Sequence, residues 1–276
     1  MAVGAAKYTA EFTSSPHEGG TAQDYTIEIF DADYASTTET FKVDGSGFNI
    51  RFDADGNEHY APINGSRCDF NFYVQNSDQE TFINTVMGAE EGRYTVKIKR
   101  GANIHWIGVL IVDGITREDM SYPYKVKITA ADGLARLKDV DYNNAGTAYS
   151  GKETILGNIL NCLNKIPTEG FYTTGIFLYS NVNWYETRMT YNTANEPTEL
   201  TRVDHGVWYD TDEEGNVTYK SCYDVLQNCL TIFGAQIKYS DGNWKIQQVT
   251  EEDKASFNIR WYQKDGTKIS SQATTN

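Results

Sequence analysis

Six short strand-like stretches between residues 25 and 129, separated by glycine and asparagine turn signals, restrict the fold more than any other feature. Tyr25-Thr26-Ile27-Glu28-Ile29-Phe30 shows the period of two expected of a half-buried strand, whose successive side chains point to opposite faces. The same reading places strands at residues 48–52, 69–74, 93–99, 104–112 and 124–129. Turn signals lie at Asp44-Gly45-Ser46-Gly47, Asp55-Gly56-Asn57, Asn64-Gly65-Ser66 and Arg100-Gly101-Ala102-Asn103. Short strands with such turns indicate a closed or sandwiched antiparallel unit, with residues 79–87 as a helix crossing one end.

Further along, the period changes. Ala131-Asp132-Gly133-Leu134-Ala135-Arg136-Leu137 reads as a tight turn running into a short helix, and the Asn- and Gly-rich stretch 142–151 reads as a domain boundary. Ile155, Leu156, Ile159, Leu160, Leu163 and Ile166 then form one stripe, which predicts an amphipathic helix over 152–166. Ser150 and Glu153 have capping-box spacing at its start, and Pro167 marks its stop. A second helix is predicted over 223–233, with Ser221 and Asp224 at its cap and Gly234 at its end. Behind it, 235–239, the turn Ser240-Asp241-Gly242-Asn243 and 244–249 form a hairpin, and 257–262 with the Lys264-Asp265-Gly266-Thr267 turn begins further strand pairing. The expected class is mainly β with a few helices (α+β). Its parts are an N-terminal arm at 1–24, a β-barrel or sandwich domain at 25–141, and a mixed helix-and-hairpin domain at 142–276. That last domain reads as incomplete, its sheet finished by further residues or by another chain.

Charge narrows the function. With 24 basic and 38 acidic side chains the net charge is −14, which opposes both sequence-independent nucleic-acid binding and docking on anionic lipid. The first twelve residues lack the basic start and apolar core of a secretion signal. The longest apolar stretch, 106–112, is broken by Gly108 and falls far short of the ~20 residues that span a bilayer, so no membrane anchoring is expected. Cys68, Cys162, Cys222 and Cys229 contain no Cys-x-x-Cys and read as free, buried thiols of a reducing compartment.

Catalytic and metal motifs are lacking. His17, His59, His105 and His205 are scattered, and no Cys/His spacing fits a tetrahedral zinc site, so neither metal nor cofactor is expected. His105 reads as a strand residue facing solvent or a partner. Gly45-Ser46-Gly47 is a turn and not a nucleophile elbow. Asp53-Ala54-Asp55-Gly56-Asn57-Glu58 has its glycine fourth, where a calcium loop needs it sixth, and so reads as a hairpin turn. Residues 210–216 read as an acidic exposed turn. Carboxylate pairs are available among 38 acids, but none is singled out, and the chain is not expected to be an enzyme. Trp184-Tyr185 and Trp208-Tyr209 are read as core or interface anchors, with sugar stacking as the alternative. The packing and interface candidates are therefore Trp106, Gly108, Trp184 and Trp208, Gly108 permitting a close approach.

Three segments carry a family resemblance: Ala61-Pro62-Ile63-Asn64-Gly65-Ser66; Trp106-Ile107-Gly108 with Tyr122-Pro123-Tyr124 and Ala130-Ala131-Asp132-Gly133-Leu134; and Cys222-Tyr223-Asp224 through Phe233-Gly234-Ala235 to Gly242-Asn243-Trp244. Their layout resembles the tail-hub (baseplate-hub) family of phage tails, in particular tail proteins of phages of Bacteroidetes-like hosts. The resemblance implies a virion protein of the tail tip, made in the host cytoplasm. It implies self-association into a trimeric ring whose paired β-barrels meet the hexameric tail tube protein with near-sixfold symmetry. Distal fibre or spike proteins would attach below, and DNA would be contacted only in transit. Because the chain is short for a full hub and a second barrel would have to come from 171–191 with 235–269, a hexameric distal tail protein is the alternative. A carbohydrate-binding adhesin and an acidic-site hydrolase are the rivals from other classes.

Overall fold

The computed structural model describes residues 5–14, 21–32, 34–52, 61–117, 120–172, 175–184, 194–251 and 256–275. Two compact units emerge: Met1–Asp53, Gly65–Gly133 and Ser240–Gly242 form the first, and Ala54–Asn64, Leu134–Tyr239 and Asn243–Asn276 the second. In chain order, β1 (Ala6–Thr13), β2 (Asp24–Asp31), β3 (Glu39–Thr40), β4 (Lys42–Phe52) and β5 (Ile63–Asn64) are followed by β6 (Ser66–Val74) and helix α1 (Ser77–Met87). Next come β7 (Tyr94–Arg100), β8 (Asn103–Leu110), β9 (Thr116–Arg117), β10 (Tyr124–Ala131), β11 (Lys152–Thr154), α2 (Ile155–Leu163) and β12 (Leu178–Asn181). The chain continues through α3 (Pro197–Leu200), β13 (Arg202–Asp204), β14 (Tyr209–Thr211), β15 (Val217–Tyr219) and α4 (Cys222–Thr231). It closes with β16 (Ala235–Ser240), β17 (Asn243–Gln248), β18 (Ser256–Tyr262) and β19 (Lys268–Thr275).

The first unit is a nearly closed, barrel-like sheet of nine strands in the order β3-β1-β2-β7-β8-β10-β6-β4, with β9 beside β10. Alternation produces its two faces. In β6 every second side chain is buried, among them Phe70, Phe72 and Val74, and each such side chain removed from water contributes about 1.5–3 kcal/mol. The other face carries cross-strand ion pairs: Glu28 takes Lys97 and Lys99 at 2.7 Å each, and Asp69 takes Arg51 at 2.7 Å. Near-closure is visible where Phe12 of β1 meets Phe48 of β4, with ring centroids 5.8 Å apart. Helix α1 starts where the Asn76 side chain accepts from the Gln79 amide at 3.0 Å, and it buries Phe82, Ile83 and Val86.

Several expectations change. Ala6–Thr13, assigned by the sequence reading to an arm at 1–24, is a strand whose Tyr8 and Ala10 are buried, because it pairs along β2 over seven residue pairs. Asp44-Gly45-Ser46-Gly47 is a bulge within β4 and not a turn between strands: the register with β6 shifts between Val43 and Phe48, and Gly47 takes φ +66°. The turn at 55–57 and the calcium-like stretch 53–58 lie outside the described residues, as do His17 and His59. The chain passes between units at Gly133/Leu134, ahead of the expected 142–151 boundary, and Ala54–Asn64 belongs to the second unit.

The second unit contains a six-stranded sheet in the order β19-β18-β12-β17-β16-β5, in which β12/β17 and β16/β5 run parallel. Residues 178–181 thus do pair with the 235–275 region, as a second β element requires. Helices α2 and α4 pack on one another through stripes that include Ile155, Ile159, Leu163, Val225, Leu226 and Leu230. The expected start of the first helix moves. Residues 152–154 pair with β13, so Thr154 becomes the cap, its hydroxyl accepting from the Gly157 amide at 2.9 Å. Glu153 bonds the Thr154 amide, and the Ser150 cap is not made. The Ser221 cap of α4 forms as read, accepting from Asp224 at 3.0 Å, and Gly234 closes that end at φ +56°.

Candidate functional site

In the first unit, residues from two of the three resemblance segments meet inside the sheet. Asp132, at the end of β10, accepts from the Ser66 amide at 2.6 Å and from the Ser66 hydroxyl at 2.9 Å. That hydroxyl in turn accepts from the Trp106 indole Nε1 at 3.0 Å. All three residues are buried. The Ser66 proton is committed to the carboxylate and its lone pair to the indole, so the hydroxyl is held as a strut and not released as a nucleophile. Gly108 explains how the indole fits. A Cβ there would lie 2.1 Å from Trp106 Cη2 and 2.5 Å from the Ala131 carbonyl oxygen, so the ring lies across the one position of β8 that has no side chain.

Pro62, Ile63 and Asn64 of the first resemblance segment belong to the second unit. The Pro62 carbonyl accepts from the Ile237 amide at 2.7 Å, and Ile63–Asn64 pairs in parallel with β16, which lies in the third resemblance segment.

Trp208 is buried, and its Nε1 donates to Asn158 Oδ1 at 2.9 Å. The Tyr142 hydroxyl donates to the same oxygen at 2.7 Å, and the Asn158 amide nitrogen reaches the Thr154 carbonyl at 2.7 Å. Asn158 therefore pins two aromatic side chains to α2. Beside this cluster, the buried Cys162 and Cys222 thiols hydrogen-bond each other. That bond holds Cys222 below the usual thiol range, while burial pushes Cys162 well above it. Trp184, by contrast, is 59% exposed, a large aromatic facing solvent.

A second buried polar cluster had no counterpart in the sequence reading. The fully buried Arg260 donates to Asn183 Oδ1 at 2.7 Å and to the Asn195 carbonyl at 2.7 Å. The Asn183 side-chain Nδ2 also donates to Glu251 at 3.1 Å, and the Asn183 backbone amide donates to Gln248 Oε1 at 2.9 Å. Glu196 receives the hydroxyls of Tyr262, at 2.6 Å, and Ser180. Burial raises the Glu196 carboxyl above its ordinary value, against the opposing pull of those hydroxyls and of Arg260. One signal was available: β18 alternates, and Asn258, Arg260 and Tyr262 occupy its buried positions. A guanidinium on a core-facing position requires buried acceptors.

His105 is half-buried rather than facing solvent, packed near Tyr25 and Phe48, and burial lowers its pKa. Glu90, Glu91 and residues 210–214 are exposed. Among the described residues, no group of three or more His, Cys, Asp or Glu is placed to hold a metal, and no helix is long and apolar enough to cross a membrane.

No protein-family model matches this chain, and no curated protein does. Among solved structures, it is similar to a 43 kDa tail protein of prophage MuSo2 from Shewanella oneidensis, at 13% identity and TM-score 0.40, over 80% of this chain and 52% of that one. A tail protein from Neisseria meningitidis aligns at 11% identity and TM-score 0.38, over 72% of this chain and 50% of that one. A prophage tail protein from Listeria monocytogenes aligns at 9% identity and TM-score 0.37, over 91% and 67%. The chain spans about half the length of the first two.

Proposed function

We propose that this chain is a non-enzymatic structural protein of a phage tail tip, a tail hub that associates with itself into a ring joining the tail tube to distal fibres or a spike. The carrying observation is the hydrogen-bonded union of the resemblance segments: Ser66, Trp106 and Asp132 form one buried cluster, and Pro62 and Ile63 pair with the strand after α4. A barrel-like sheet in one unit and a six-stranded sheet in the other supply the two β elements a hub layout calls for. Self-association makes a trimer in this reading, with a hexameric distal tail ring as the alternative. Exposed acids at 90–91 and 210–214, with a net charge of −14, suit a conduit that repels phosphate and lets DNA pass unheld. No membrane anchoring enters the reading, and the protein is made in the host cytoplasm and resides in the virion.

One observation favours a second reading. Trp184 presents an open ring of the kind that stacks on sugars, as a carbohydrate-binding adhesin would require. Native mass spectrometry and a glycan array separate the two. The hub reading expects a multiple of three copies of the 31.1 kDa chain and no glycan signal. A stable monomer that binds glycans through Trp184 sinks it.

A further inference from the structure

Two thiols of the second unit have no part in the proposed function, and the fold brings them together. Cys162 lies in α2, Cys222 is the first residue of α4, and the two helices pack on one another. One short stretch, 140–143, ties both residues to a common place. On one side, the Cys222 amide donates to the Val140 carbonyl at 2.7 Å and the Cys222 thiol to the Asp141 carbonyl at 3.5 Å. On the other, the α2 side of the pair reaches the same stretch. Asn161 Nδ2 donates to the Tyr142 hydroxyl at 3.2 Å, and Lys165 Nζ, one turn after Cys162, donates to the Asn143 carbonyl at 2.8 Å. The two thiols meet in between, buried and hydrogen-bonded to each other.

Their environments differ in the way disulfide chemistry needs. The bond from Cys162 and the charge of Lys165 hold Cys222 below the usual thiol range. Its place in the first turn of α4 also sets it at the positive end of the helix dipole, which favours a thiolate. Burial keeps Cys162 protonated. Cys222 is therefore the sulfur that gives up its proton first, and Cys162 is the partner at hand to resolve it. Cys229 is raised by burial, and Cys68 belongs to the first unit.

We propose that Cys162 and Cys222 are a disulfide-forming pair that hydrogen peroxide closes, fastening α2 to α4. The Cys222 thiolate attacks one peroxide oxygen, the O–O bond breaks, and the departing hydroxide takes up the thiol proton as water. The Cys162 sulfur then attacks the Cys222 sulfenic sulfur. The S–S bond forms, the S–O bond breaks, and hydroxide leaves with the Cys162 proton as a second water. Each sulfur gives up one electron, and the peroxide gains both. Peroxide is little larger than water, and opening of the first turn of α4 admits it where bulky thiol reagents stay out. The bridge concerns this chain alone, and its failure leaves the tail-tip reading untouched.

The test treats the reduced full chain with hydrogen peroxide and removes the excess with catalase. Thiols are then counted with N-ethylmaleimide in urea, by intact mass and peptide mapping. Four labels are expected before treatment and two after it, carried by Cys68 and Cys229, with a peptide joining 162 to 222. Closing the chain between them should raise Tm by roughly 4–16 °C, a gain that dithiothreitol reverses. Cys162→Ser should leave Cys222 as a sulfenic acid that dimedone traps in urea, a readout that lost packing alone does not give. Four labels after treatment, a bridge through Cys68 or Cys229, or a bridge between chains overturns the proposal. So does a pair that closes no faster in the folded protein than in urea. If Cys162→Ser fails to fold, the wild-type peptide map decides alone.

Discussion

Gly108→Ala is the smallest change that strikes the Ser66–Trp106–Asp132 cluster. The added methyl would lie 2.1 Å from Trp106 Cη2 and 2.5 Å from the Ala131 carbonyl oxygen. The carbonyl belongs to a paired strand and cannot swing aside, so the indole must move. Overpacking of this kind costs about 1–3 kcal/mol. Displacing the indole also breaks its 3.0 Å bond to Ser66 and leaves a buried donor unpaired, another roughly 1–3 kcal/mol. A combined loss of about 4 kcal/mol lowers Tm by roughly 8–16 °C in a chain of this size class. The assay is urea and thermal unfolding followed by far-UV circular dichroism, for Gly108→Ala, Trp106→Phe and the double variant. Removing the outer indole ring relieves the worse of the two overlaps, so the double variant should recover about 1–2 kcal/mol relative to the sum of the singles. A Gly108→Ala protein within about 0.5 kcal/mol of wild type, or strict additivity, would refute the packing argument.

Asn158→Leu leaves the Tyr142 hydroxyl and the Trp208 indole without their shared acceptor and should destabilise by about 2–4 kcal/mol, read by urea unfolding. Glu196 has a raised pKa through burial, so the folded state favours its protonated form. Its contribution is fully present below the ordinary carboxyl value of 4.5 and is lost as pH rises through the folded value. Wild type should therefore gain stability relative to Glu196→Gln as pH falls from neutral toward that range, and a difference that is flat with pH counts against the burial argument. All four thiols are buried, with Cys229 pushed up to about 12, so a thiol reagent should label none in the native protein and all four in urea.

Local signals in the sequence were sufficient for much of this fold. Period-two alternation located β2, β6, β7 and β10, and a serine followed three residues later by an acid located α4, because each depends on neighbours within a few positions. Gly108 was legible as a close approach, although the ring it accommodates proves to be that of Trp106, two residues away on the same strand. Where long-range pairing competes with a local signal, the reading failed. Residues 6–13 have a polar, glycine-rich context but find β2, and 152–154 lie in a helical stripe but pair with 202–204. The Arg260 cluster was missed because its partner Asn183 lies 77 residues away, and no local pattern ties a buried guanidinium to its acceptors. Trp184 and Trp208 looked alike as Trp-Tyr pairs, yet one is open to solvent and the other buried on Asn158.

The tail-tip account is tested most directly by electron cryomicroscopy of the purified full chain, reconstructed without imposed symmetry. A closed ring with a threefold or sixfold axis along an open channel, lined by acids such as Glu90, Glu91 and those at 210–214, is the predicted result. Particles with no axis through a channel, or a ring with a strongly basic lumen, would contradict it.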